Sequence, residues 1–288
     1  MRPNFLIIGA MKAGTTALYH TLKQHPQVFM SPVKEPHFFS YEGRTSSREH
    51  IITTWDEYEK LYDNAGDALA RGEASPSYLP APQAPVTIHK YVPDCKLIAV
   101  LRHPVERAYS HYLHLYKEGR ESNDDFLTAF EQNEATANQR GNSWNSYKNQ
   151  GFYASHLARY YKLFPREQVK IFLYDDYIAD ANAVIREMFE FLGVQPDFSA
   201  EQRWYYKSGK PKSRLMHNII KGKFPLIKSL AKLIPQDQRA RLKTNLHNRN
   251  VQQEKLSPAA RAALLPIYRE DTLALADMIG RDLSAWMK

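Results

Sequence analysis

Apolar residues in this chain gather into short β-rich runs at Phe5–Ile8, Val28–Met30, Lys96–Leu101 and Val169–Tyr174, and several of these are followed by stretches with helical spacing. Strands alternating with helices predict an α/β fold: a central, mainly parallel sheet flanked by helices in three layers. The punctuation agrees. His103-Pro104 and Ser257-Pro258 each put proline at a first helical position, and Gly193 follows the stripe Val184, Met188, Phe191 and Leu192. A closing amphipathic helix is expected near Pro258 to Ile279. The stretch from Asn133 to Gly151, rich in Asn, Gln, Ser and Gly and carrying Trp144 and Tyr147, reads as a long irregular segment of the kind that often serves a site. Without internal repeats or a Gly/Ser linker, residues 1–288 read as one domain, with 207–288 a basic helical part packed on it.

At 288 residues, 43% hydrophobic and 12% aromatic, the chain can bury a sizeable core. Its single cysteine, Cys95, excludes an intramolecular disulfide and a thiolate zinc cluster, and suits a reducing compartment. The apolar stretch Phe5 to Met11, interrupted after it by Lys12, is too short for a signal peptide, and no run approaches the roughly 20 apolar residues of a membrane span. The expected location is the cytoplasm.

The formal net charge of +8 is unevenly spread, since Lys207 to Arg249 holds twelve lysines and arginines against one acid, Asp237. Such a segment predicts an anionic partner, among them a phosphorylated nucleotide, an acidic polysaccharide, nucleic acid or a membrane surface. Within it, Lys221 to Lys232 with Phe224, Leu226, Ile227, Leu230 and Leu233 has the pattern of an amphipathic helix, placed either in the core or on a membrane. No nucleic-acid-binding motif accompanies the charge, so nucleic acid is not an expected partner.

The strongest local signal is the run from Phe5 through Gly9, Lys12, Gly14, Thr15 and Thr16, an apolar strand entering a Gly/Thr turn and then a helix. Backbone N–H groups of the turn, the positive end of a helix, two hydroxyls and one ammonium converge there, and an anion is their natural occupant. A plain βα turn with a helix-capping threonine is the alternative. The turn is P-loop-like, but it lacks the Gly-Lys-Ser/Thr ending of a P-loop NTPase, the lysine standing ahead of Gly14. The strand Leu97–Leu101 leads to Arg102 where a magnesium-holding aspartate would stand. A metal-free nucleotide site is expected.

Three motifs together resemble the sulfotransferases that use 3'-phosphoadenosine 5'-phosphosulfate (PAPS), above all their heparan sulfate and bacterial carbohydrate branches. Lys12-Ala13-Gly14-Thr15-Thr16 looks like that family's 5'-phosphosulfate loop, Arg102-His-Pro-Val-Glu-Arg107-Ala-Tyr-Ser110 like its 3'-phosphate motif, and Lys34-Glu35-Pro-His37-Phe-Phe39 like its acceptor-side catalytic segment. The resemblance extends to Gly151-Phe-Tyr and to the closing Gly280-Arg-Asp-Leu-Ser-Ala-Trp286.

What the resemblance implies can be stated residue by residue. Lys12, Ala13, Gly14, Thr15 and Thr16 would hold the 5'-phosphosulfate, Lys12 also stabilising charge on the departing oxygen, while Arg102 and Ser110 would hold the 3'-phosphate. Taken singly, Arg102 reads equally as a surface ion-pair partner. Glu35 would be the general base, with His37 orienting it or serving as the base instead. Ser208, Gly209 and Lys210 resemble, more weakly, a loop that closes over the nucleotide. Arg107 reads as structural or solvent-facing. The product would be 3'-phosphoadenosine 5'-phosphate (PAP), and the acceptor a hydroxyl or amine, most readily a saccharide.

On the acceptor side the pattern departs from the heparan branch: its glutamate–lysine pair reads here Glu73-Ala74, and the aspartate after the paired phenylalanines is Ser40. A heparan-like acceptor is thereby put in doubt, and a small-molecule or lipid sulfotransferase stays open, the last with contact to a membrane surface. A P-loop kinase is the more distant alternative.

Overall fold

A computed structural model describes residues 1–44, 51–139, 143–201, 210–211, 251–252 and 255–288. Its centre is a five-stranded, all-parallel sheet of β1 (Phe5–Gly9), β2 (Val28–Met30), β3 (Ala70–Ala74), β4 (Lys96–Leu101) and β5 (Val169–Leu173), in the order β2-β3-β1-β4-β5. β1 is buried at every position and β4 at every position but its first, as a sheet covered on both faces requires. The expected α/β architecture is what forms. β2 and β4 have the expected limits, whereas β1 runs one residue further and β5 ends one residue sooner, where Tyr174 opens a helix.

Hydrophobic patterning overlooks β3, and the reason lies in its sequence, Ala-Arg-Gly-Glu-Ala. Gly72 crosses so close to β1 that an added Cβ would stand 2.5 Å from the Phe5 carbonyl oxygen, and Glu73 occupies a wholly buried place that an apolar residue would ordinarily fill. The strand is specified by close approach and a buried polar group.

The chain leaves β1 toward β2 and β3 on one side, then crosses to β4 and β5 on the other, so the strand order reverses between β1 and its neighbour β4. In open α/β sheets the crevice beyond the carboxyl ends at such a switch point is where ligands sit. Into it lead α1 (Thr15–Leu22), which follows β1, and α5 (Pro104–Glu118), which follows β4. Between them come α2 (Phe38–Tyr41), α3 (Trp55–Glu59) and α4 (Ala84–Tyr91). Pro104 takes the first turn of α5 and the His103 side chain caps it, accepting the Val105 N–H at 3.2 Å.

Further on lie α6 (Phe126–Gln139), α7 (Tyr153–Tyr160), α8 (Tyr174–Ala179), α9 (Ala181–Leu192) and α10 (Pro258–Ile279). α9 ends at Gly193 with φ 76°, and α10 begins at Ser257, whose hydroxyl accepts the Ala260 N–H at 3.1 Å. The irregular segment expected from Asn133 is corrected: residues 133–139 continue α6, and 143–145 and 149–151 are short 3-10 turns. The polar residues that suggest a loop lie on the outer face of α6, whose inner face buries Phe126, Ala129 and Phe130, and Asn133 spends its amide oxygen on the Tyr147 N–H at 2.7 Å. α10 docks through Asp271, which accepts the first N–H groups of α7 at Ala154 and Ser155 at 2.9 and 3.0 Å. Among the described residues no helix is long and apolar enough to cross a membrane.

Candidate functional site

The turn after β1 is held from the neighbouring strand, the Ala10 N–H donating to the Val100 carbonyl at 2.8 Å. Gly14, at φ 90°, caps α1 without any side-chain hydrogen bond, so the alternative of a helix-capping threonine does not form. A side chain at Gly14 would also meet the Tyr174 ring at 3.4 Å. Ala13 and Thr15 are buried while Lys12 and Thr16 are half-buried, and the first N–H groups of α1 lack partners within the helix.

Arg102 lies at the end of β4, beside this turn. Its Nη1 donates to the Lys12 carbonyl at 3.4 Å, its Nη2 to Glu106 Oε2 at 3.3 Å, and its guanidinium rests 5.0 Å from the centre of the Tyr174 ring. Its Nε is buried with no hydrogen-bond partner among the described residues. Glu106 is shared, its other oxygen accepting Arg261 Nη1 at 2.8 Å, so α10 takes part in fixing Arg102. Ser110 is buried two turns into α5. Arg107 is wholly buried and donates to the Tyr147 carbonyl and to Gln150 Oε1, in keeping with a structural part.

Burial, then the charges of Lys117 and Arg102, lower the Lys12 ammonium to about 8, against smaller opposing effects of Glu118 and Glu35. That balance also places the Glu35 carboxylate within electrostatic reach of the Lys12 turn.

Glu35 and His37 lie after β2, flanking Pro36. Among the described residues the non-glycine positions with left-handed backbone are Lys12 at φ 70°, Glu35 at φ 60° and His37 at φ 58°. These are the three candidate catalytic residues. Each left-handed residue costs about 1–2 kcal/mol, and such strain gathers at functional sites. Burial raises the Glu35 carboxyl, but the hydrogen bond with His37 and the ammonium of Lys34 outweigh it and hold the group down at about 2. The Glu35 Oε2 to His37 Nε2 separation is 3.5 Å. His37 Nδ1 in turn meets Ser77 Oγ at 2.7 Å, and Ser40 Oγ lies 3.0 Å from the same hydroxyl.

Glu35 and His37 face a cavity of about 480 Å³ whose wall includes Tyr41, His114, Glu118, Arg120 and Trp144. Trp144 and Tyr41 stand edge to face with ring centres 6.1 Å apart. His114 Nε2 lies 3.4 Å from Glu118 Oε1, whose second oxygen takes Arg120 Nη1 at 3.2 Å. Burial and the Lys12 charge lower the His114 imidazole to about 4. Reading the sequence missed His114, although the spacing Arg107, Ser110, His111, His114 puts an inward polar row on α5.

Lys12, Arg102, Glu35 and His37 are therefore brought to one edge of the sheet. Ser208, Gly209 and the basic stretch 212–249 lie outside the described residues, and Lys210 is described as a strand residue, β6 (Lys210–Pro211), paired antiparallel with β7 (Val251–Gln252). Among the described residues no group of three or more His, Cys, Asp or Glu could hold a metal ion.

Comparison with known proteins bears on this geometry. A family model described as sulfotransferase domain matches residues 2–220. Carbohydrate sulfotransferase 15 of Mus musculus is 28% identical over 266 residues, covering 74% of this chain and 47% of the relative. Heparan sulfate glucosamine 3-O-sulfotransferase 6 of Homo sapiens is 30% identical over 215 residues, covering 72% and 57%. The chain thus spans about half the length of these curated relatives. A crystal structure of a sulfotransferase from Alicyclobacillus acidocaldarius superposes over 100% of both chains with a TM-score of 0.76 at 30% identity. Mouse sulfotransferase SULT7A1 complexed with PAP shares the fold, with a TM-score of 0.52 at 13% identity over 94% of this chain and 84% of that one.

Proposed function

Because the chain belongs to the sulfotransferase-domain family, we propose that it moves a sulfuryl group from PAPS to an acceptor hydroxyl, with Glu35 as the base and no metal in the reaction. The observation that carries this reading is the convergence of the three strained residues Lys12, Glu35 and His37 on the edge where Arg102 meets the turn after β1. The described residues suit a doubly phosphorylated nucleotide. Arg102 keeps a buried Nε without a partner among the described residues, as an anion-binding guanidinium would, and Gly14 leaves the turn with no Cβ in the way of a close approach.

In this reading the turn from Lys12 to Thr16 holds the 5'-phosphosulfate, and Arg102 with Ser110 holds the 3'-phosphate. PAPS, when bound, supplies a sulfuryl group carried on a phosphate leaving group. Lys12 places its positive charge where negative charge accumulates as that phosphate departs. A sulfuryl group bears less charge than a terminal phosphoryl group, so an ammonium and backbone donors suffice where kinases use magnesium. Glu35 takes the acceptor's proton. A carboxylate held at about 2 stays ionised at every physiological pH, so it is always ready to accept, though weakly basic, and its strength as a base comes from placement more than from affinity for the proton.

A saccharide is the proposed acceptor. Its support is the Trp144 and Tyr41 walls beside Glu35, flat apolar faces of the kind that pack against sugar rings, together with the carbohydrate sulfotransferases among the relatives. The test is incubation of the chain with sulfur-labelled PAPS and a panel of saccharides, phenols and lipids in excess EDTA. Label transferred to a saccharide supports the reading; transfer only to a phenol or lipid replaces the acceptor; transfer that appears only on adding magnesium rejects the metal-free mechanism.

A further inference from the structure

The mechanism above makes no use of Glu73, which is wholly buried in β3 between β1 and β2. No cation pairs with it in the described residues. Tyr58 OH donates to its Oε1 at 3.3 Å and Ser75 Oγ to its Oε2 at 2.8 Å, and the hydroxyls of Tyr62, Tyr78 and Tyr19 and the thiol of Cys95 are its other titratable neighbours, with the Glu35 carboxylate beyond. Burial raises the carboxyl to about 7, the hydroxyls of Tyr78, Ser75 and Tyr58 pull it back in that order, and the Glu35 charge adds to the rise. An apolar side chain would sit in this sheet at less cost, so stability is not what the carboxyl contributes.

Its geometry gives it a use. Ser75 has one hydroxyl proton, and that proton goes to Glu73; its lone pairs are thereby turned to the backbone N–H of His37, 3.1 Å away. That N–H belongs to a residue at φ 58°, a conformation that needs an external hold. The imidazole so fixed is gripped at Nδ1 by Ser77 and presents Nε2 to Glu35. We propose that Glu73, acting through Ser75, is a positioning residue that holds the Glu35–His37 pair in its working orientation. The inference rests on the reading of Glu35 as the base. It follows from strand order, since β2 leads to the pair and its neighbour β3 carries Glu73 and leads directly to Ser75.

The test compares Glu73→Gln, Glu73→Leu and Ser75→Ala with the unaltered chain. Glutamine keeps an oxygen for the Ser75 hydroxyl and a donor for Tyr58; leucine keeps neither. One readout needs no donor or acceptor: the 15N NMR resonances of the two His37 ring nitrogens at one fixed pH, assigned by their absence in His37→Gln. Glu73→Gln should leave both where they stand in the unaltered chain, while Glu73→Leu and Ser75→Ala should move them as Nδ1 loses Ser77 and Nε2 turns from Glu35. The second readout is transfer, where Glu73→Leu and Ser75→Ala should lose about tenfold or more in kcat at unchanged PAP affinity and Glu73→Gln should keep most of it. If Glu73→Leu does not fold, Ser75→Ala decides. Unmoved His37 ring resonances in folded Ser75→Ala overturn the proposal, as does a Glu73→Gln chain as impaired as Glu73→Leu. Should the unaltered chain transfer no sulfate, the reading of Glu35 falls, while the His37 ring resonances still decide whether Glu73 positions His37.

Discussion

Arg102 donates to the backbone carbonyl of Lys12 across 3.4 Å, joining the end of β4 to the turn after β1 at the point where the strand order reverses. The bond binds the proposed 3'-phosphate residue to the proposed 5'-phosphosulfate residue through main chain, so each helps to place the other. Arg102→Ala should weaken binding of PAP by about tenfold to a hundredfold, and binding of adenosine 5'-phosphate far less, in parallel calorimetric titrations. Equal losses for the two nucleotides would show that Arg102 only supports the turn.

Lys12 yields a prediction about protons. Its ammonium stands at about 8 in the free chain, and a phosphate beside it favours the charged form. Binding of PAP at a pH near 8.5 should therefore take up a fraction of a proton, seen as a heat that varies with the ionisation enthalpy of the buffer. Lys12→Ala should abolish that uptake and lower kcat by at least about a hundredfold. Buffer-independent heat would place the ammonium away from the phosphate.

For Glu35 the expected change separates chemistry from binding. Glu35→Gln should reduce kcat by roughly a hundredfold to ten-thousandfold while PAP binds nearly as before. Because the carboxyl is held at about 2, its protonation should not limit turnover until well below pH 4, and any acidic limb seen at higher pH belongs to another group. Turnover that survives the substitution would transfer the base to His37.

Glu73 should leave a mark on stability. Its folded value of about 7 lies above the ordinary carboxyl value, so the native state holds the proton to higher pH than the unfolded chain; the resulting stability is full below about 4.5 and is lost as pH rises through about 7. Glu73→Gln carries no such charge. The variant's Tm should gain on that of the unaltered chain by roughly 5 °C between pH 5 and pH 8, for a shift worth about 3 kcal/mol at most. Parallel melting curves across that range would mean the carboxyl is not perturbed.

Gly72 tests the strand that hydrophobic pattern does not reveal. With the Phe5 carbonyl oxygen 2.5 Å from an added Cβ, Gly72→Ala must push β3 from β1 and should cost about 3 kcal/mol or more in denaturant unfolding. A loss under about 1 kcal/mol would mean that the two strands part easily.

Much of the frame is legible in the sequence because buried parallel strands are written as apolar runs, and β2 and β4 begin and end where those runs do. Pro104, Ser257 and Gly193 mark helix ends by chemistry that needs no tertiary context. β3 is illegible for the opposite reason, since Gly72 and Glu73 answer to β1 and to the Tyr58 and Ser75 hydroxyls, partners remote or invisible until the chain is folded. Residues 133–139 mislead because a helix that hides only Phe126, Ala129 and Phe130 can be polar everywhere else.

The site divides along the same line. Lys12 to Thr16 is a continuous motif, and its physics can be read from order alone. Glu35 and His37 stand out in sequence only through a resemblance, and what gives them weight in the structure is left-handed backbone and contact with Ser77 from the neighbouring strand's loop. His114 joins them across the cavity from α5, a juxtaposition set by the placing of β4 beside β1.

The most direct test of the account is calorimetric titration of the chain with PAP in excess EDTA, set against ATP with magnesium. The account predicts tight metal-free binding of PAP and little of ATP; binding of ATP with magnesium in preference to PAP would contradict it and leave Glu35 without its proposed work.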